Sequence, residues 1–169
     1  MDAVPRARVL YEGLIAGLLG YLVVALAVAV MDLAGGRSFV HTPSLLGQSV
    51  VGGFGPPTPG TVAPGPVLAY NGLHLLIFLV LGLAVSFVVF EVELHPVLWY
   101  AGFFALLVLL MVTYFVVAVL SAPLEDGPYA TTLVVANTLA AFGMGAYLAH
   151  AHPRLLEDVR EHGDPEYEE

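Results

Sequence analysis

The stretch VLAYNGLHLLIFLVLGLAVSFVVF, residues 67–90, decides the fold of this chain. It contains no formally charged residue. About 20 apolar residues rising ~1.5 Å each are enough to cross a hydrocarbon core of ~30 Å. In a soluble domain such a helix would expose an apolar face to water, because only one stripe of it would be buried. The stretch therefore predicts a transmembrane helix.

Three further runs resemble it, at residues 11–33, 98–121 and 130–150. Together the four runs predict an all-α integral membrane protein, with four transmembrane helices in an antiparallel bundle. The chain is then a single membrane domain, 1–169, without a separate soluble unit. The remaining segments are the tails 1–10 and 151–169 and the loops 34–66, 91–97 and 122–129.

Composition agrees with this prediction and excludes several classes of function. Hydrophobic residues make up 59% of the 169 residues and charged residues 11%, against about 25% charged in soluble domains; mean hydropathy is +0.87. The chain has no cysteine, which excludes disulfides, thiolate metal sites and cysteine nucleophiles. It has a net charge of -9 and only five basic residues, all arginine. Nucleic acid is therefore not an expected partner, because its recognition needs a basic patch.

The arginines predict the orientation. With four spans both termini lie on one side, which holds Arg6, Arg8, Arg154 and Arg160, whereas the other side holds only Arg37. Basic residues near spans favour the cytoplasmic side. We therefore expect both termini in the cytoplasm and the 34–66 loop outside, in the plasma membrane of a bacterium or archaeon.

Small residues recur every four positions on the first and last spans. Gly13 and Gly17 lie on the first, and Ala141, Gly145 and Ala149 on the last. This spacing lets two helix backbones approach closely inside a membrane. We expect these helices to pack through these residues, either with each other or with a partner.

The 34–66 loop contains one helix signal and then a breaker-rich stretch. Thr42 can cap a helix and Pro43 suits its first position, so Ser44–Val51 is predicted as a short interfacial helix in this external loop. Glycine and proline dominate 52–66, which indicates an extended surface connection.

A polar layer is predicted in the outer half of the membrane. His74 lies about 10 Å below the outer boundary, and Tyr70 and Asn71 share its helix face. Similar depths are expected for Tyr114 and Asn137 on other spans, with Asp32 just above. Three interpretations remain open. The layer is a structural hydrogen-bond network from His74 to Asn137 or Tyr114, a binding site for a quinone, pigment, haem or lipid, or a route for protons or solutes. A haem held by two histidines is disfavoured, because His74 is the only histidine deep in any span.

A second cluster is predicted at the inner boundary. Its members are weak candidates for metal ligands: Glu12, Glu93, His95, His150 and His152. Carboxylate and imidazole groups can bind a transition metal. However, side chains at headgroup depth are ordinarily solvated, and no HExxH pattern is present. The favoured interpretation is a solvated rim.

The sequence contains no catalytic motif, so a non-enzymatic role is favoured. The first hypothesis is an accessory or structural subunit of a larger membrane complex, such as a respiratory or photosynthetic one engaged in electron transport. The alternative is a self-contained, homo-oligomeric membrane protein that binds a quinone, pigment, haem or small solute at His74. The expected partners are membrane lipid together with other membrane subunits or further copies of the chain.

Overall fold

The computed structural model describes residues 6–53, 55, 57–58, 60–95, 100, 104, 107, 111, 114–115, 118–119 and 129–153. Within these residues all regular structure is helical, with no strand. The helices are α1 (Arg6–Ala34), α2 (His41–Val51), α3 (Pro64–Leu94) and α4 (Tyr129–Ala151).

Three of the helices are long and apolar enough to cross a membrane: α1, α3 and α4. At ~1.5 Å per residue their 29, 31 and 23 residues extend about 44, 46 and 34 Å. Each therefore exceeds the ~30 Å hydrocarbon core and reaches the headgroup layer. Large apolar side chains such as Leu26, Leu68 and Phe142 remain exposed along them, as expected of surfaces that meet lipid. The prediction of a helical fold with long, apolar helices able to cross a membrane is confirmed for these three helices.

The predicted third span, 98–121, lies mostly outside the described residues. Its eight described positions, 100, 104, 107, 111, 114, 115, 118 and 119, all have helical backbone. The predicted 122–129 loop up to residue 128 and the tail from residue 154 also lie outside the described part of the chain.

Helix α1 forms the centre of the described helices. It packs along both α3 and α4, whereas α3 and α4 barely touch each other. The Ser86 hydroxyl donates to the Val9 carbonyl at 3.1 Å near the start of α1. Farther along α1, the Tyr21 hydroxyl donates to Asn71 Oδ1 at 3.2 Å. The contacts thus follow opposite orders along the two helices.

Glycines permit the close approach of α1 and α3. A Cβ added at Gly17 would lie 2.8 Å from the Leu79 Cα, and one at Gly82 would lie 2.7 Å from the Gly17 Cα. Gly13 likewise faces the Leu83 backbone, at 2.8 Å. Gly13 and Gly17 therefore contact α3, whereas the prediction had them pack against the last span or a partner.

Helix α4 faces α1 with a different row of residues. Its buried apolar residues are Leu133, Ala136, Ala140, Met144 and Leu148. Ala141 and Gly145 are exposed and Ala149 is half-buried; no described atom lies within 4 Å of a Cβ built at Gly145. Ala136 and Ala140 also have the spacing of four, and the larger Met144 and Leu148 continue their row. Burying the row that contains Met144 and Leu148 removes more apolar surface from the outside of the bundle. The row predicted from the sequence, Ala141, Gly145 and Ala149, therefore faces away from α1.

Helix α2 packs on α3, and Thr58 and Thr61 of the Gly/Pro-rich segment hydrogen-bond to α2. The predicted start at Ser44 is three residues late, because the helix begins at His41. The Ser44 hydroxyl donates to the Thr61 carbonyl at 3.2 Å, and the Thr58 amide donates to Gln48 Oε1 at 3.0 Å. These bonds satisfy polar groups that proline and glycine leave outside regular structure.

Candidate functional sites

Asp32 forms a buried junction between α1 and α2. Its carboxylate is 1% exposed, and Oδ1 accepts from Arg37 Nε at 3.0 Å and from Thr42 Oγ1 at 2.8 Å. Oδ2 accepts from the Thr42 backbone N–H at 2.9 Å. A carboxylate in this place satisfies an unpaired amide and complements the positive end of the α2 dipole.

This junction corrects two predictions. Thr42 does not cap α2, since the helix begins one residue earlier and the cap comes from α1. Asp32 interacts with Arg37 and Thr42, and not with the His74 layer. A carboxylate at the end of α1 can reach an amide ten residues later because the intervening turn reverses the chain.

His74 lies among three aromatic rings, a group that we call the His74 cluster: Tyr21, Tyr70, His74 and Phe78. The Tyr70 ring stacks on the imidazole at 5.2 Å between centroids, with an interplanar angle of 21°. Phe78 lies at 4.9 Å and Tyr21, from α1, at 6.0 Å. The imidazole Nε2 is buried and has no hydrogen-bond partner among the described residues. It is therefore a polar atom that the described fold leaves unsatisfied.

The other members of the predicted polar layer hydrogen-bond elsewhere. Asn71 Oδ1 accepts from the Tyr21 hydroxyl at 3.2 Å, Asn137 Nδ2 donates to the Leu133 carbonyl at 2.8 Å, and the Tyr114 hydroxyl bonds Thr138 Oγ1 at 2.6 Å. The layer thus divides into separate pairs. Among the described contacts, Tyr70 is the member of the predicted layer that lies against His74.

The end of the bundle that was predicted to lie at the inner boundary carries a connected group that we call the His152 cluster: Arg8, Glu12, Glu93 and His152. His152 follows the end of α4 and is 0% exposed. Its Nε2 lies 2.6 Å from Glu12 Oε2 on α1, and its Nδ1 lies 2.6 Å from Glu93 Oε2 on α3. One imidazole thus joins the ends of three helices.

Arg8 and Phe90 complete the surroundings of the His152 cluster. Arg8 Nε donates to Glu12 Oε1 at 2.7 Å, and its Nη2 donates to the Ala151 carbonyl at 3.2 Å. The Phe90 ring meets His152 edge-on at 4.5 Å, and the Arg8 guanidinium carbon lies 5.4 Å from the Phe90 centroid. The arginine therefore contacts a carboxylate, a helix-terminal carbonyl and an aromatic face.

The favoured interpretation of this region as a solvated rim is wrong for Glu12 and His152. Glu12 is 7% exposed and His152 0%, because the ends of α1, α3 and α4 cover them. His95 and His150, by contrast, are exposed. Among the described residues no group of three potential ligands is arranged to hold a metal ion. Glu12 and Glu93 bind different nitrogens of one ring, so their carboxylates lie on opposite sides of it.

Sequence reasoning missed three residues of these clusters. Arg8 was considered only for orientation, although its spacing of four from Glu12 predicts an ion pair. Phe78 follows His74 by four residues, and the same rule places it beside the imidazole. Tyr21 gave no such signal, since it joins the cluster from another helix.

No protein-family profile, curated protein sequence or solved structure matches this chain.

Proposed function

We propose that this chain is an integral membrane protein that binds a lipid-soluble ring compound of the quinone class at His74. The observation that carries the proposal is the buried, unpartnered Nε2 of His74. A buried polar atom left without a partner costs about 1–3 kcal/mol. A ligand oxygen bonded to this nitrogen would remove that penalty.

The surroundings of the imidazole favour a small flat ring over a macrocycle. Three aromatic rings lie within 6.0 Å of the imidazole centroid, and aromatic faces bind another ring by offset or edge-to-face packing. A quinone carbonyl accepts a hydrogen bond and the reduced hydroxyl donates one, so either form can bond a neutral imidazole. Because Nε2 is fully covered, binding requires that one of the covering rings moves aside.

Replacing His74 tests this function. His74→Leu is expected to weaken binding of a short-chain quinone by about tenfold or more, since one hydrogen bond to a buried group is lost. His74→Gln should recover part of the affinity, because its amide nitrogen lies near the position of Nε2. The measurements are the quinone content of the protein purified in mild detergent and the shift in its unfolding temperature with added quinone.

The matched control is His95→Leu, which removes an exposed histidine at the end of the same helix. It should bind quinone like the wild type. If the wild type neither retains a quinone nor is stabilised by one, the proposal fails. Equal binding by His74→Leu and the wild type excludes His74 as the site.

We further propose a bundle of four antiparallel spans in the plasma membrane, with both termini in the cytoplasm. Arg6 and Arg8 precede the first span and Arg154 and Arg160 follow the last, against Arg37 alone on the other side; this asymmetry supports the orientation. Reporters that are active only in the cytoplasm should work when fused at residue 169 and be silent at residue 60. A reporter that is silent at residue 169 and active at residue 60 would show that the orientation is the reverse of the one proposed.

A second candidate function is an accessory subunit of a larger membrane complex, in electron transport or another role. The exposed Ala141 and Gly145 on the outer face of α4 favour it, because small residues four apart permit close helix contact in lipid. The same gentle purification distinguishes the two candidates. A stable set of co-purifying membrane chains supports the subunit, whereas a lone chain with bound quinone supports the first proposal.

A further inference from the structure

We propose that the His152 cluster is a proton-binding latch, which holds the ends of α1, α3 and α4 together while His152 carries a proton on both ring nitrogens. The proposal concerns the inner boundary of the bundle, 19 residues along α3 from His74 (93 minus 74). It is therefore independent of the ligand proposed above.

The hydrogen bonds require the additional proton. A neutral imidazole has one N–H donor and one acceptor nitrogen, and an ionised carboxylate has acceptors only. Both nitrogens of His152 nevertheless lie 2.6 Å from carboxylate oxygens. When both carboxylates are ionised each nitrogen must donate, so we assign an imidazolium to the closed arrangement. Loss of its proton would leave a lone pair facing a carboxylate oxygen at 2.6 Å.

Charge balance leads to the same assignment. Arg8 and Glu12, both on α1, form an ion pair at 2.7 Å. The other carboxylate of the cluster is Glu93 of α3. A positive His152 makes the four formal charges sum to zero, whereas a neutral His152 leaves one negative charge in a largely buried group. Tyr147 of α4 is a further titratable group near the cluster, within electrostatic range of Glu12 and of Tyr11 on α1. A neutral phenol leaves this sum unchanged.

The latch joins two helices that otherwise barely touch. The His152–Glu93 bond ties the end of α4 to the end of α3, and direct packing between these helices is slight. Arg8 adds a bond to the Ala151 carbonyl. Opening the cluster would therefore free the end of α4 from α3 and loosen this end of the bundle.

The direction of the pH dependence follows from proton counting. The closed form binds one more proton than an open form with a neutral imidazole and two carboxylates. Lowering the pH therefore favours the closed form, and raising the pH favours the open form.

The key variant is Glu93→Gln. A glutamine amide can donate to Nδ1 of a neutral imidazole while Nε2–H donates to Glu12, so the closed form no longer needs the proton. The wild-type unfolding temperature should fall by roughly 3–6 °C between pH 5.5 and pH 8.5. In Glu93→Gln this fall should be absent. The matched control, Glu91→Gln on the same helix, should keep the wild-type fall.

A spin label reports opening directly. The chain has no cysteine, so Pro153→Cys, at an exposed position next to His152, gives a single labelling site. Label mobility should rise with pH in the otherwise wild-type protein and stay constant when Glu93→Gln is added. A flat response of the wild type in both measurements, or the same pH dependence in Glu93→Gln and Glu91→Gln, would overturn the latch.

Nitrogen NMR of the wild-type protein tests the proposal even if a variant does not fold. With histidine labelled with ¹⁵N, the His152 ring at pH 6 should show two protonated nitrogens, and this signal should be absent from His152→Gln. A neutral His152 ring at pH 6 would contradict the assignment.

Discussion

Replacing Gly17 with valine is expected to destabilise the folded protein by about 3 kcal/mol or more. A Cβ at this position would meet the Phe78 carbonyl oxygen and lie 2.8 Å from the Leu79 Cα. Both are backbone atoms, which no change of rotamer can move, so the two helices must separate. That separation would also disturb packing around Phe78, which is 4% exposed. The measurement is the free energy of unfolding in detergent.

The matched control is Gly145→Val. It adds the same side chain to a helical glycine, but on an outer face with no described atom within 4 Å. We expect a change of at most about 1 kcal/mol, set by helix propensity. The small-residue spacing alone predicts that Gly145 belongs to a packed seam, whereas the structure predicts little effect on the single chain. Equal destabilisation by both variants would show that α4 faces α1 with the other row.

Replacing Asp32 with alanine is expected to destabilise the protein by about 3 kcal/mol. The change removes three hydrogen bonds, from Arg37 Nε, Thr42 Oγ1 and the Thr42 backbone N–H. The change also removes the ion pair between the Asp32 carboxylate and Arg37 Nε. The loss should be concentrated in α2, because its first turn loses the carboxylate that satisfies it. Hydrogen exchange of the α2 amides, residues 41–51, checks this together with thermal unfolding.

Asp32→Asn separates charge from hydrogen bonding. It keeps one acceptor oxygen but loses the formal charge, so its effect should be about half that of Asp32→Ala. Glu91→Ala, at a half-buried acidic residue of α3, should leave exchange in α2 unchanged. If Asp32→Ala leaves the protection of α2 at the wild-type level, Asp32 is not what holds this helix in place.

The positions of the helices were predicted well from the sequence, because they depend on the residues within each segment. The first, second and fourth predicted spans lie within α1, α3 and α4, since length and lack of charge decide whether a helix can cross a membrane. The helix in the 34–66 loop was also predicted, with a start three residues late. The first turn of this helix is bonded by Asp32, a residue of the preceding helix.

The expected depth of the polar residues within the membrane predicted fewer of their side-chain contacts. His74 and Tyr70 were placed on one face, and they stack. Asn137 and Tyr114 were placed at the depth of His74, yet Asn137 bonds the Leu133 carbonyl of its own helix and Tyr114 bonds Thr138 of α4. Depth restricts one coordinate only, whereas a hydrogen bond also needs the rotation of each helix about its axis.

The sequence by itself determined where the long apolar helices lie, that they are long enough to cross a membrane, and that cysteine chemistry is absent. Tertiary structure alone decided which row of small residues faces inward and which acids are buried. His152 and Glu12 are separated by 140 positions and meet because α1 and α4 pack side by side. The physical reason is that membrane spanning depends on the composition of one segment. A buried ionic cluster depends on how several helices are rotated and offset against each other, and no single segment contains that information.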